Sequence, residues 1–299
     1  TQFGKLIYAY KTWGSREEVE AKGVPELTRL YVKFHEEAEQ HPELEDEGRR
    51  WFKAIEDGNA EALELFNWFK ELTLRDAKPV YDLLGVQFDS YNGESFYVDK
   101  TDRVVEELRE KNLLTISDGA SVVDLDEEKS GMPPCLILKK DGTTIYATRD
   151  IAAALYRKET YDFDKCLYVV AYQQDLHFRQ WFKVIEKMGY PWYKDLVHVA
   201  FGMISYEGQS LSTRKGHVLF LEDVLNMAIE KARAIIEEKS PNLENKDEVA
   251  RQVGVGAVVY ADLQNSRIKD IDFSWERVLS FDGETGPYVQ YTHARCCSA

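Results

Sequence analysis

The chain has 299 residues, of which 44% are hydrophobic and 12% aromatic, and its formal net charge is −15. This length predicts two domains, or one large domain with an appendage, and the apolar content excludes global disorder. The acidic balance argues against a protein that coats nucleic acid with basic residues, but leaves a local basic face open. No apolar run approaches the roughly 18 residues of a membrane span, so we expect no membrane partner.

The cysteines do not form a metal-binding pattern. Neither Cys135 and Cys166 nor the neighbours Cys296 and Cys297 have the spacing of a Cys or Cys/His metal site. No signal peptide pattern is visible at the start. We therefore expect a cytoplasmic monomer with free thiols and no dedicated protein metal site.

The first third of the chain predicts helices. Apolar residues recur at helical spacing from Phe3, after Pro25 and from about Asn59. Residues 15–88 therefore read as a helical block whose aromatic residues form a core. Pro79 is expected to kink or restart the last of these helices.

The middle of the chain predicts an α/β sheet. Residues 136–146 suit a hairpin around Asp141-Gly142, and Thr148 is expected to cap the helix that follows. Apolar runs at 167–171 and 197–203 flank a helical segment. This order predicts a parallel βαβ unit covered on both faces. Polar clusters follow both strands, where such sheets bind ligands.

The cluster at 205–216 contains two hydroxyls beside two cations, followed by a glycine: Ser212, Thr213, Arg214, Lys215 and Gly216. These groups suit a phosphate-binding loop, although a basic surface turn has the same composition. From about residue 219 onward the sequence reads as all-helical. There Gly254 and Gly256 are read as close helix packing rather than a dinucleotide fingerprint.

Four stretches in order resemble the arginine-specific branch of the class I aminoacyl-tRNA synthetases. They are YATRDIA at 146–152, VVAYQQDLHF at 169–178, SLSTRKG at 210–216 and GPYVQYTHAR at 286–295. The opening TQFGKL is similar to the segment after the first catalytic strand region of that family. The signature loop departs from the general Lys-Met-Ser-Lys-Ser form, because Ser210 and Thr213 stand where other class I enzymes carry lysine.

The resemblance implies an α/β fold, the later part of a Rossmann-like class I catalytic core. Residues 1–218 would form this core, with a helical insertion at about 15–88, and 219–299 would begin a helical anticodon-binding domain. The family's His-Ile-Gly-His-like motif, its amino-terminal domain and most of the anticodon-binding domain are not in the sequence. We therefore expect a fragment that is not competent alone.

The resemblance also implies three groups of site residues. The arginine-binding residues would be Tyr146, Asp150 and Gln174. The ATP-binding residues would be Gly202, Met203 and His177, together with Ser212, Thr213, Arg214 and Lys215 of the signature loop. The tRNA-contacting residues would be Tyr288, Tyr291 and Arg295. Because the net charge is −15, a tRNA-binding face would have to be a local basic patch, to which Arg251, Arg267, Lys269 and Arg277 could contribute.

Each assignment has a structural alternative. Asp150 suits the first turn of a helix, where a carboxylate favours the dipole. Without the resemblance, Tyr146 reads as a strand core residue, Gln174 as a helix start, and His177 as a structural histidine. Gly202 and Met203 read as a packed strand end, and Tyr291 as part of a packed helix pair.

The implied activity is arginine–tRNA ligation, with arginine, ATP and tRNA(Arg) as substrates and Mg²⁺ accompanying ATP. Another class I synthetase is one alternative, of which a cysteinyl enzyme is disfavoured by the missing zinc pattern and by Tyr146 with Asp150. The alternative from a different class is a non-catalytic RNA- or protein-binding module derived from a class I synthetase.

Overall fold

The computed structural model describes residues 2–126, 130–211, 219–278 and 282–299. Its α-helices are α1 (Gln2–Trp13), α2 (Arg16–Lys22), α3 (Val24–Gln40), α4 (Leu44–Glu56), α5 (Ala60–Leu84), α6 (Thr101–Glu110), α7 (Tyr146–Tyr161), α8 (Asp175–Lys187), α9 (Leu221–Lys239), α10 (Lys246–Leu263), α11 (Trp275–Val278) and α12 (Gly286–Ser298). Its strands are β1 (Leu114–Ser117), β2 (Ala120–Val123), β3 (Cys135–Leu138), β4 (Cys166–Ala171), β5 (Leu196–Phe201), β6 (Ile204–Tyr206), β7 (Gln209–Ser210) and β8 (Ile271–Phe273). Short 3₁₀ helices span Glu94–Lys100, Tyr172–Gln174 and Pro191–Asp195.

The chain forms two compact units that are discontinuous in sequence. The first unit comprises Thr1–Gln87, Ile204–Asn265 and Ile271–Ala299, and the second comprises Phe88–Met203 and Ser266–Asp270. This division groups residues by spatial contact. The predicted boundary between a catalytic core and an anticodon-binding domain near residue 219 stays a prediction.

Helices α2 to α5 of the first unit lie within the predicted helical block at 15–88, and α1 is the helix predicted from Phe3 before it. Their apolar faces meet in a core in which Ile7, Leu30, Phe34 and Phe69 are fully buried. Helix α5 continues through Pro79 and ends at Gly85, which adopts the left-handed conformation. The helix therefore does not restart at Pro79 and ends instead at a glycine free to take positive φ, while a kink at Pro79 stays a prediction.

The later part of the first unit contains helices α9, α10 and α12 and a small sheet. A Cβ at Gly254 would lie 2.6 Å from the backbone nitrogen of Ile229, so this glycine permits the close packing of α10 on α9 that the sequence predicts. Strand β8 lies parallel to β6. The all-helical expectation is therefore wrong, since Ile271 and Phe273 alternate with a polar residue as strand residues do.

The second unit contains an antiparallel sheet in the order β1-β2-β3. Strand β3 pairs with β2. The predicted tight turn at Asp141-Gly142 is present, since the Lys139 N–H donates to the Thr143 carbonyl and the Gly142 N–H to the Lys139 carbonyl, both at 2.9 Å, beside one bridge between Leu138 and Thr144. The strand pairing predicted up to residue 146 does not extend further, because α7 begins at Tyr146.

The second unit also contains the predicted parallel βαβ arrangement. Strands β4 and β5 pair in parallel and α8 connects them. One face of this pair packs on a core that includes Phe178 and Trp181. On the other face Leu167 and Val169 are 59% and 65% exposed, so the expectation of a sheet covered on both faces does not hold for the described chain. Across the described ranges, every helix is too short or too polar to cross a membrane.

Candidate active site

The first turn of α7 carries two of the predicted site residues. The helix begins at Tyr146, after Ile145 as its N-cap, so Thr148 is inside the helix rather than its cap. The buried Thr148 hydroxyl donates a 2.6 Å hydrogen bond to the carbonyl of Ile137 in β3. This bond fixes the first turn against the sheet. Tyr146 and Asp150 are four residues apart and therefore lie on one face of the helix.

That face borders a cavity of about 190 Å³ within the second unit. Tyr146 is 60% exposed, which excludes the reading of a strand core residue. The walls come from α7 and from the segment that leads into and forms the first 3₁₀ helix. The lining residues are Asn92, Gly93, Glu94, Tyr97, Tyr146, Arg149, Asp150, Ala153 and Arg157.

Two carboxylates and two guanidinium groups share this small volume. Glu94 forms an ion pair with Arg149, whose side chain is only 10% exposed. Arg157 lies over the ring of Tyr97, 5.3 Å from its centroid. The negative charges of Glu94 and Asp150 balance the positive charges of Arg149 and Arg157. The cavity can therefore accept a ligand that carries both a cationic and an anionic end.

Asp150 has a partner outside the cavity wall. Its Oδ2 lies 2.6 Å from Nε2 of His177 on α8. Beneath it, burial and, secondly, the charge of Asp150 raise the pKa of the Cys135 thiol to about 12. Cys135 is therefore a neutral packing residue. The structure thus brings His177 to the predicted arginine-binding side chain.

The carboxyl ends of β4 and β5 carry the other predicted residues of this unit. The strands pair in register up to Ala171 and Phe201, so Gln174 and Gly202 follow at the same edge. The N–H of Gly202 donates to the Arg267 carbonyl at 2.8 Å.

Met203 is held by the same segment, since its N–H donates to Oδ1 of Asp270 at 2.7 Å. The N–H groups of both residues, which are predicted to bind ATP, are thus engaged within the protein. In the part of the chain that the structure describes, Gln174 does not line the Asp150 cavity.

The signature loop follows a well-anchored hairpin in the first unit. Strands β6 and β7 are joined by Glu207 and Gly208, both with positive φ, as a two-residue hairpin turn requires. Asp272 accepts hydrogen bonds from the Ser205 hydroxyl at 2.7 Å and the Gly208 N–H at 3.1 Å. These two bonds, the hydroxyl first, lower the pKa of the Asp272 carboxyl. The predicted phosphate-binding residues Ser212, Thr213, Arg214 and Lys215 lie outside the described residues.

The predicted tRNA-contacting side chains lie on α12 of the first unit. Tyr288 and Tyr291 are 57% and 59% exposed, so the reading of Tyr291 as a packed residue does not hold for the described chain. Arg295 lies over the Tyr291 ring, 5.7 Å from its centroid. The further basic candidates are divided between the units, with Arg251 and Arg277 in the first and Arg267 and Lys269 in the second.

Sequence reasoning missed three charged residues of the cavity. Glu94 lies 55 residues before its partner Arg149. Arg149 and Arg157 follow Tyr146 by three and eleven positions, which is a helical spacing. A helix beginning at Tyr146 would have indicated both of them, whereas the place of Glu94 depends on tertiary contacts.

The family model for the catalytic domain of class I tRNA synthetases (R) matches residues 1–275. The chain therefore belongs to the class I tRNA synthetase catalytic-domain family. The arginine–tRNA ligase of Clostridioides difficile (strain 630) is 64% identical over 298 residues, and that of Alkaliphilus metalliredigens (strain QYMF) is 59% identical over 298 residues. Each match covers 100% of this chain and 52% of the relative.

Solved structures agree with this fold. Arginyl-tRNA synthetase from Thermus thermophilus superposes with a TM-score of 0.80 at 24% identity, covering 99% of this chain and 55% of that one. The enzyme from Plasmodium falciparum gives a TM-score of 0.76 at 25% identity, covering 100% of this chain and 49% of that one. The α/β class I core with helical parts is thereby confirmed. The chain spans about half the length of the curated relatives it matches.

Proposed function

We propose that the chain is part of an arginine–tRNA ligase. It would activate arginine with ATP to arginyl-adenylate and transfer the arginyl group to tRNA(Arg). Family membership supports the class of reaction, and the names of the relatives support the amino acid. Because the chain spans about half of those relatives, the proposal concerns the activity of the whole protein.

The observation that carries the proposal is the cavity bordered by Tyr146, Glu94 and Asp150. A guanidinium is a planar cation with five donors, and a carboxylate is its strongest partner. Glu94 is already paired with Arg149, so the match is carried by Asp150, whose carboxylate suits a guanidinium better than a small apolar amino acid. Tyr146 can stack on the guanidinium or accept a hydrogen bond from it.

The reaction proposed has two steps. The arginine carboxylate attacks the α-phosphorus of ATP and pyrophosphate leaves. The 2′-hydroxyl of the terminal tRNA adenosine then takes the arginyl group and AMP leaves. Positioning and charge stabilisation dominate such a reaction. We assign Gln174 to the polar end of arginine, and assign Gly202 and Met203 to adenine. Their engaged N–H groups imply that any backbone contact to adenine uses other atoms.

The signature loop is proposed to neutralise the departing pyrophosphate through Arg214 and Lys215, with hydrogen bonds from Ser212 and Thr213. Mg²⁺ is proposed to accompany ATP as part of the substrate. Tyr288, Tyr291 and Arg295 are proposed to contact tRNA, since exposed aromatic rings stack on bases and arginine binds phosphate. We further propose a cytoplasmic monomer.

The test is arginine-dependent exchange of pyrophosphate into ATP by the full gene product that contains this chain. We expect exchange with arginine and none with lysine. Asp150→Asn is expected to reduce arginine-dependent exchange on the order of 100-fold, because a charged partner of the guanidinium is lost. Exchange that is independent of arginine, or its absence in the folded protein, would contradict the proposal and favour a non-catalytic module.

A further inference from the structure

The feature that the proposed function leaves unexplained is the pair formed by His177 and Asp150. The two side chains come from different helices, 27 residues apart in sequence, and meet at 2.6 Å. They are 26% and 37% exposed, so the contact is partly screened from water. The pair includes the carboxylate that is assigned to the substrate. Because the contact is this close, we expect it to affect how Asp150 binds a ligand.

The hydrogen-bond chemistry of the pair is defined by its atoms. An ionised carboxylate only accepts hydrogen bonds, so Nε2 of His177 must carry the hydrogen and donate it to Oδ2. One acceptor site of Oδ2 is then occupied, whereas both acceptor sites of Oδ1 can serve a ligand in the cavity. The bond also restricts rotation about the last torsion of Asp150, which is otherwise broad.

His177 is itself held in place by packing. It lies in the first turn of α8, which begins at Asp175, and its ring contacts Phe178 edge-on with centroids 5.5 Å apart. Phe178 is 5% exposed and belongs to the core of the second unit. The imidazole is thus anchored to the core on one side and to Asp150 on the other.

Contact with the ligand is not what His177 provides. Among the described residues that line the cavity, Asp150 is present and His177 is not. An effect of His177 on a ligand in this cavity must therefore pass through the carboxylate. This differs from the sequence-based expectation, which assigned the residue to ATP.

We propose that His177 is a positioning residue for the amino acid substrate: it holds Oδ2 of Asp150 so that Oδ1 faces the substrate guanidinium. The inference rests on the proposed function, because it requires a guanidinium ligand at Asp150. Its consequence is that His177 contributes to the affinity for arginine and not to the affinity for ATP.

The test compares His177→Leu with His177→Gln by calorimetric titration of the full gene product with arginine and, separately, with ATP. Leucine has no donor, whereas the Gln amide nitrogen can occupy the position of Nε2. We expect His177→Leu to weaken arginine binding about 10-fold or more, and His177→Gln to remain within about threefold of the parent. ATP affinity should change less than twofold in both variants.

The matched control is His41→Leu. It removes another histidine–carboxylate pair, with Nδ1 of His41 at 3.4 Å from Oε1 of Glu43, and both side chains are largely exposed. Arginine binding should not change. Thermal unfolding of each variant separates a folding defect from a binding defect, and ¹⁵N-detected histidine spectra report directly whether Nε2 of His177 carries the hydrogen.

Several outcomes would overturn the inference. Unchanged arginine affinity in His177→Leu would show that the pair is only structural. Weakened ATP binding with arginine binding intact would restore the ATP assignment. If His177→Leu does not fold, two results would still refute the inference. One is equal losses of arginine affinity and ATP affinity in His177→Gln, and the other is a spectrum in which Nδ1 carries a hydrogen and Nε2 carries none. Absence of arginine binding in the parent would instead refute the proposed function, and this inference with it.

Discussion

Helices α1 to α5 and the wall of the Asp150 cavity use charged side chains in different ways. In the helices, Glu26 is 2% exposed and Arg29 contacts it through two hydrogen bonds of 2.9 and 2.6 Å. Asp76 on α5 likewise accepts the first N–H of α3, from Val24, at 2.7 Å. In the cavity wall, by contrast, Asp150 borders open space of about 190 Å³.

This difference indicates which charges contribute to stability and which contribute to ligand binding. A charge that closes a packed helix junction contributes to folding, and its loss leaves a buried partner or an uncapped helix. A charge that borders a cavity contributes chiefly to binding. Substitutions in the helices should therefore change stability and leave arginine affinity intact, whereas substitutions at Asp150 should do the reverse.

The largest stability effect is expected for Gly4→Ala. A Cβ at Gly4 would lie 2.1 Å from the carbonyl oxygen of Gly48, a backbone atom of α4 that cannot move without shifting the helix. We expect a loss of about 3 kcal/mol in the free energy of unfolding, measured by denaturant titration.

The control on the cavity side is Gly93→Ala, where an added Cβ meets nothing within 4 Å. Its φ of −78° is one that alanine adopts without strain, so we expect a change below about 0.5 kcal/mol. Equal effects at the two positions would contradict the distinction between a packed helix pair and an open wall.

A smaller loss is expected for Arg29→Met. The hydrogen bond from Arg29 lowers the pKa of Glu26, against the opposing effect of burial. Because the folded pKa is depressed, this stabilisation is present above the ordinary pKa of glutamate and is lost as pH falls through the folded value. Arg29 is half exposed, so water can reach the site after substitution, and we expect about 2 kcal/mol at pH 7.

The pH dependence is the check on this prediction. Parallel unfolding titrations at pH 7 and below pH 4 should show a difference between parent and Arg29→Met that shrinks in acid. A difference of the same size at both pH values would mean that packing of the arginine stem, and not the ion pair, is responsible.

A still smaller effect is expected for Asp76→Ala. The substitution removes the acceptor for the Val24 N–H at the start of α3, and such caps contribute about 1 kcal/mol. Asp76→Asn retains an acceptor oxygen and should recover most of this loss in thermal unfolding. Full loss in the asparagine variant would show that charge, rather than capping, is what α3 requires.

The smallest effect is expected for Tyr190→Phe, in the second unit. Burial and, secondly, a 2.7 Å hydrogen bond to Glu107 raise the pKa of Tyr190 to about 12. The folded state therefore retains this proton more strongly than the unfolded chain, whose tyrosine titrates near pH 10. The contribution is fully present below about pH 10 and is lost as pH rises towards 12.

Stability curves measured across this alkaline range provide the check. The parent should lose stability more steeply than Tyr190→Phe as the tyrosine ionises, with no such difference in slope at neutral pH. Identical slopes would show that the ionisation of Tyr190 is not linked to folding.

Local patterns predicted the helices and the parallel strand pair because their signals lie within one element. Apolar periodicity located α1, α3 and α5 within or beside the helical block, and short apolar runs located β4 and β5. The turn signal at Asp141-Gly142 predicted the tight turn, whereas the pairing of β3 with β2 depends on an earlier segment of the chain that a local turn signal cannot reveal. Strand β8 was missed for a similar reason, since each of its residues pairs with a residue of β6 that lies 67 positions earlier in the sequence.

In the candidate site, too, sequence predicted what lies within one element and missed the contacts between distant segments. Tyr146 and Asp150 share a helix face, so their proximity follows from spacing once the resemblance singles them out. Glu94 and the His177 contact were not predictable, because each joins segments that are distant in sequence. The roles of all these residues in binding stay predictions.

The central claim is that the Asp150 cavity binds the arginine guanidinium, and calorimetric titration of this chain and of the full gene product with arginine tests it most directly. Lysine serves as the ligand control. Asp162→Asn, at the other end of α7 with a side chain 91% exposed, serves as the matched variant. We predict selective arginine binding by the full gene product, a loss on the order of 100-fold in Asp150→Asn, and no change in Asp162→Asn. Equal binding of arginine by the parent and the folded Asp150→Asn variant would contradict the account.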